Sequence, residues 1–133
     1  MTDFRNPPTL LNPPGPYSHV VRAGELAFVS GQVGADASGV LVGRGIREQA
    51  KQALENIRLA LAEVRLGLAD IVKVTIFVPY ADDLDELVPY MDTAFPALFP
   101  RGLPASSLVI VQRLFDPALR IEIEAIARAR DDE

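Results

Sequence analysis

Residues 119–127 alternate between apolar and polar positions, broken only where Ile126 takes a polar place. Successive side chains of an extended chain point to opposite sides, so Leu119, Ile121, Ile123, Ala125 and Ala127 share one face. Arg120, Glu122 and Glu124 share the other. Upstream, residues 17–22 and 26–30 read as two short strands joined at Ala23-Gly24-Glu25, which predicts a hairpin. Gly, Asp and Ser recur from 34 to 45 and mark a loop, after which Ile46, Ala50, Ala53, Ile57, Leu61 and Val64 recur at helical spacing. That stripe predicts a one-sided helix, with Gly67 as the left-handed residue beyond its end.

Residues 70–80 form the next strand, with Val72, Val74, Ile76 and Val78 on one face and Lys73, Thr75 and Phe77 on the other. A second helix is predicted over 84–95, capped by Asp82 or Asp83, with Leu84, Leu87, Val88, Met91 and Phe95 inward despite Pro89. A Pro-rich link over 96–104 leads to a strand at 105–112, and residues 119–127 close the order β-β-α-β-α-β-β. Two helices can cover only one face of the resulting mixed sheet, which makes the fold α+β. The uncovered face then carries Lys73, Thr75, Phe77, Arg120, Glu122 and Glu124, with Ile126 beyond. Phe77 and Ile126 are too apolar for a face left to water, so a homo-oligomer joined through it is expected.

The length of 133 residues fits one domain, 1–133, preceded only by a Pro-rich arm over 1–16 that X-Pro pairs keep out of helix. The absence of Cys removes disulfides, thiolate nucleophiles and Cys-ligated zinc. A single histidine, His19, removes histidine-clustered metal sites and Ser-His-Asp triads, and it reads as a surface side chain. The net charge of −5 and the scattered basic residues argue against nucleic acid as the partner. With neither the start of a secretory signal nor a long apolar run, the protein is expected to be soluble and cytoplasmic.

Four stretches taken together carry a resemblance: Gly15-Pro16-Tyr17-Ser18, Phe28-Val29-Ser30-Gly31-Gln32, the helical run from Glu48 to Ile57, and Ile121-Glu122-Ile123-Glu124-Ala125-Ile126-Ala127. With the strand at 70–78 added, their order and spacing resemble the RidA family, also called YjgF. The resemblance implies a chorismate-mutase-like fold assembled as a homotrimer, its sheets forming a central barrel with small-molecule clefts at the subunit seams. It also implies hydrolysis of reactive imines or enamines to carbonyl products and ammonia, with no cofactor and no metal. Carried over by position, Tyr17 and Glu122 match the family's pocket tyrosine and glutamate, the expected catalytic pair. Ser30 and Gly31 match its substrate-contacting positions. Glu124 is read as structural.

Two positions depart from that pattern. Where the archetypal branch carries an arginine that grips the substrate carboxylate, this chain has Ser106, and a hydroxyl cannot supply a guanidinium's two-pronged contact. Val88 stands where the archetype has an asparagine. Activity on 2-imino acids is therefore expected to be altered or reduced, with Ser106 counted among the substrate-binding residues. Two other readings stay open. One is a trimer that binds a small metabolite without turnover; the other is an endoribonuclease, as older family labels have it.

Overall fold

The structure, a computed structural model, describes residues 1–131. Its elements run β1 (Thr2–Arg5), β2 (Val20–Ala23), β3 (Leu26–Val33), α1 (Ile46–Glu63), β4 (Ile71–Val78), α2 (Leu84–Leu98), β5 (Ala105–Ile110) and β6 (Glu122–Arg128). The strands form one six-stranded sheet in the order β1-β2-β3-β6-β4-β5. Every pair is antiparallel except β4 with β5, which α2 joins by a crossover. Both helices lie on one face, as the pattern requires. Between them and the sheet, Val29, Val74, Ile76, Ile121, Ile123 and Ala127 pack against Ile46, Ala53, Ile57 and Leu61 of α1, all buried in one core. No helix among the described residues is long and apolar enough to cross a membrane.

The expected order lacked one strand. Residues 2–5 precede the first proline, so their amides are free to pair with β2, from Thr2 opposite Ala23 to Arg5 opposite Val20. Val72 is not on the inner face. It is the extra residue of a β-bulge, since Ile71 pairs with Ala127 and Lys73 with Ile126, and it lies 47% exposed while Ile71 takes the buried place. At the end of α1 the left-handed residue is Arg65, with φ 64°, not Gly67, whose φ is −139°. The Leu66 amide reaches the Leu61 carbonyl and the Arg65 amide that of Ala62, a Schellman closure two residues earlier than expected.

Helix α2 runs past Pro96 to Leu98 and fully buries only Leu87, while Val88 faces outward. Asp83 makes no capping bond; its carboxylate pairs with Arg120 at 3.2 Å. Arg120 therefore leaves the open face, stacking at 4.5 Å over the Tyr80 ring. The rest of that face is as expected, with Thr75 opposite Glu124 and Phe77 opposite Glu122. Directly opposed residues share a face, so Phe4, Val21, Phe28 and Ile126 form an apolar row across four strands.

Gln49 of α1, completely buried, decides where β6 begins. Its amide donates to the carbonyls of Gly43 (3.0 Å) and Ala118 (3.1 Å), and its oxygen accepts the Arg120 amide at 2.7 Å. The helix comes close enough only because residue 34 is glycine, where a Cβ would stand 2.6 Å from the Gln49 Cα. Gln49→Leu leaves three part-buried backbone groups without this partner and is expected to lower stability by about 3 kcal/mol in urea unfolding. A loss under about 1 kcal/mol would show that those groups find other partners.

Candidate active site

Glu122 opens β6 on the open face, flanked by Val33 of β3 and Phe77 of β4. Its neighbourhood is set by an irregularity. Val29 pairs with Ala125 but Gln32 pairs with Ile123, so Ser30 and Gly31 together oppose the single residue Glu124. This β-bulge brings the Gly31 backbone under the Glu122 carboxylate, where a Cβ would stand 2.5 Å from Oε2 and 2.6 Å from Cδ. Only glycine admits that approach.

The bulge also fixes the segment before β2. The Ser30 amide donates to the His19 carbonyl at 2.9 Å, and the Ser30 hydroxyl donates to the Ser18 carbonyl at 2.6 Å. Tyr17, the preceding residue, is thereby held beside Glu122. Tyr17, Gly31 and Glu122 line one cleft of about 540 Å³, whose far wall comes from Leu10, Leu11 and Pro14 of the N-terminal arm and from Phe115. Ser30 is not among its lining residues, and its hydroxyl proton is committed to Ser18. Ser106 is not brought to this chain's cleft at all: it lies exposed on β5, opposite Val74.

Glu122 is half-buried, and no hydrogen bond or ion pair reaches its carboxylate among the described residues. Burial pushes its carboxyl above the usual range, and the negative charge of Glu124 adds to the shift. The Tyr17 hydroxyl is likewise held above its ordinary value, by burial first and by the Glu122 charge second, so it stays protonated and able to donate. The cations that might have neutralised Glu122 within the chain are engaged elsewhere: Arg120 with Asp83, Lys73 with the Ser107 hydroxyl at 2.7 Å, and Arg101 with Asp70 at 3.1 Å. The site thus offers a poised carboxylate facing a phenol across an apolar hollow.

His19 corrects a sequence expectation. It is 7% exposed and lines the cleft, its Nε2 donating to the Leu11 carbonyl at 2.6 Å and its Nδ1 accepting from the Gln32 amide at 3.1 Å. A carbonyl can only accept and an amide nitrogen only donate, which assigns the tautomer. His19 pins the N-terminal arm against β2 and β3, and the ring of Tyr17 stands edge-on to it at 6.4 Å. Alternation along the expected strand 17–22 does not place His19, since β2 begins only at Val20 and both Tyr17 and His19 lie in the bend before it. Nor could it show that the Pro-rich arm folds back over both. Phe115 and the two arm leucines were missed for the same reason, since they sit outside any periodic element.

The sequence model of the family described as Endoribonuclease L-PSP matches residues 9–129. A RutC family protein of Pyrococcus abyssi is 40% identical over 116 residues, spanning 86% of this chain and 87% of that one. The chain belongs to the RidA (YjgF) family. The 2-iminobutanoate/2-iminopropanoate deaminase of Salmonella typhimurium is 36% identical over 119 residues, covering 87% of this chain and 89% of the relative. Among solved structures, the YjgF gene product from E. coli superposes with a TM-score of 0.83 at 32% identity, covering 92% of this chain and 95% of that one. The RidA assignment and the mixed sheet with two helices are thus both established.

Gly31→Ala tests the geometry directly. The added methyl displaces the Glu122 carboxylate, and in this RidA protein any turnover that depends on it is expected to fall at least about tenfold, with the circular dichroism spectrum unchanged. A second measurement is the pH dependence of stability. Burial disfavours ionised Glu122, so its stabilising contribution is full below the ordinary carboxylate pKa and is lost as pH rises through its elevated folded value. Glu122→Gln, which cannot ionise, is expected to have a higher Tm than the parent at pH 7, with the gap closing as pH falls below the usual glutamate range. A gap independent of pH would refute the assignment.

Proposed function

We propose that this protein hydrolyses small reactive imines or enamines, releasing ammonia, in a RidA-type cleft whose grip on 2-imino acids is altered because Ser106 replaces the arginine. The observation that carries the reading is Glu122: a half-buried carboxylate with no internal partner, over a glycine, in a cleft shared with a protonated phenol. Such a group can accept a proton from water as the oxygen attacks the C=N carbon, then return it to the departing nitrogen. A raised pKa makes it a better base near neutrality, and a placed base commonly contributes ~10²–10⁴-fold. Tyr17 donates toward the imine nitrogen or the developing hydroxyl, and the Gly31 amide approaches the substrate without a side chain in between. Relatives named as 2-iminobutanoate/2-iminopropanoate deaminases support the reaction class.

The same reading makes the protein a homotrimer. Its support is the apolar row of Phe4, Val21, Phe28 and Ile126, in which Phe4 and Phe28 are exposed and Val21 and Ile126 only partly covered in a single chain. In that assembly Ser106 would face a seam. The decisive measurement follows ammonia release, or loss of semicarbazide-trappable imine, from substrates generated in place by an oxidase. Glu122→Ala is expected to lower kcat about a hundredfold. A variant as active as the parent sinks the role given to Glu122, and a parent inert toward every imine favours a binding protein.

A further inference from the structure

The cleft's own chemistry says what it can hold. Among the described residues, no Lys or Arg lines it, and the two carboxylates that do, Asp36 and Glu122, repel an anion. Apart from the Tyr17 hydroxyl and the Asn12 amide, the side-chain donors that line it already have partners. The Asn56 amide nitrogen serves the carbonyls of Val33 and Ala35, the Gln32 amide serves His19 and the Ser30 carbonyl, and His19 Nε2–H serves Leu11. Asp36 accepts the amides of Ser38 and Val40. What is left for a substrate carboxylate includes no cation, whereas Leu10, Leu11, Val33 and Phe115 give the hollow an apolar wall.

Phe115 is the most unusual part of that wall. Its side chain is 68% exposed although it lines the cleft. The loop presenting it is braced from both sides. Arg113 donates from Nε to the Leu114 carbonyl at 2.9 Å and from Nη2 to that of Phe115 at 3.0 Å. Beyond Phe115, Asp116 accepts the Ala118 amide at 2.8 Å through its carboxylate and the Leu119 amide at 3.0 Å through its carbonyl. An aromatic ring held out on a fixed loop, at the open side of an apolar hollow, is a surface awaiting a ligand.

We propose that the cleft selects imines bearing a bulky apolar or aromatic group and no carboxylate, with Phe115 as the selecting wall. This rests on the hydrolase reading above and narrows its substrate class. The step is R–CH=NH + H2O → R–CHO + NH3. The water oxygen bonds to carbon, its proton passes through Glu122 to nitrogen, the hydroxyl proton follows as C=O forms, and the C–N bond breaks. No oxidant or reductant is needed.

The test uses the full-length parent and Phe115→Ala. Phenylmethanimine is generated from benzylamine by a flavin-dependent amine oxidase, and 2-iminopropanoate from alanine by an amino-acid oxidase. The parent is expected to favour phenylmethanimine in kcat/KM by about tenfold, and Phe115→Ala to erase that ratio, a discrimination of the size one apolar wall provides. Calorimetry with benzamide and acetamide, unreactive mimics of the planar C=N group, separates binding from turnover. Benzamide should bind about tenfold tighter to the parent only. Turnover without preference overturns the selectivity and leaves the hydrolase reading standing. Discrimination between the amides by Phe115 without any turnover does the reverse. A Phe115→Ala protein of lower assembled mass in sedimentation would make Phe115 a subunit contact and overturn the proposal.

Discussion

Between Val29 and Gln32 strand β3 holds one residue more than β6 can pair, and the cleft depends on how that misfit is absorbed. A regular ladder would continue the alternation and keep residue 31 at an ordinary distance from its cross-strand neighbours. The bulge instead sets Ser30 and Gly31 against Glu124, bends the strand and drives the Gly31 backbone beneath the Glu122 carboxylate. It also turns the Ser30 amide and hydroxyl toward the carbonyls of His19 and Ser18, which carries Tyr17 to the same place. One irregularity thus assembles the carboxylate and the phenol over the Gly31 backbone.

The surrounding fold keeps that arrangement from relaxing. Gln49 fixes the start of β6 through three backbone bonds, and Asn56, about two turns further along the same helix face, holds the carbonyls of Val33 at the end of β3 and of Ala35 beyond it. Buried polar groups so fully satisfied are costly to disturb, because each alternative leaves several of them unpaired. Glu122 is treated in the opposite way. It is partly desolvated, set near Glu124 and met by no cation among the described residues, while Arg120, Lys73 and Arg101 each find other partners. A carboxylate held in this manner costs stability, and shifts of this kind cluster at functional sites, which is consistent with the role proposed for Glu122.

The elements that were legible from the chain are those built by long, unbroken periodicity. The six apolar positions of α1 are all buried, and Leu119, Ile121, Ile123, Ala125 and Ala127 lie inward as their alternation demands. The misreadings have local causes. Val72 fits the alternation of β4 but is displaced by a bulge, which is invisible without the partner strand. Gly67 is a favourable left-handed residue, yet hydrogen bonding closed the helix two residues sooner and placed Arg65 there instead. Asp83 stands where a cap belongs but is drawn away by Arg120, and Val88, one position beyond Leu87, finds nothing above it to pack on. His19 is buried by an arm whose prolines predict extension and nothing about direction.

By itself the sequence determined the class of fold, the inner stripe of the first helix, the face on which Glu122 lies and the family to which the chain belongs. These follow from side-chain period and short-range wording, which local geometry enforces wherever the chain goes. Only the tertiary structure decided that Gly31 lies under Glu122, that His19 and the N-terminal arm close the hollow, that Phe115 walls it, and that no Lys or Arg among the described residues lines it. Those facts depend on strand register and on contacts between segments distant in sequence, and no local pattern encodes a register shift or the path of a loop.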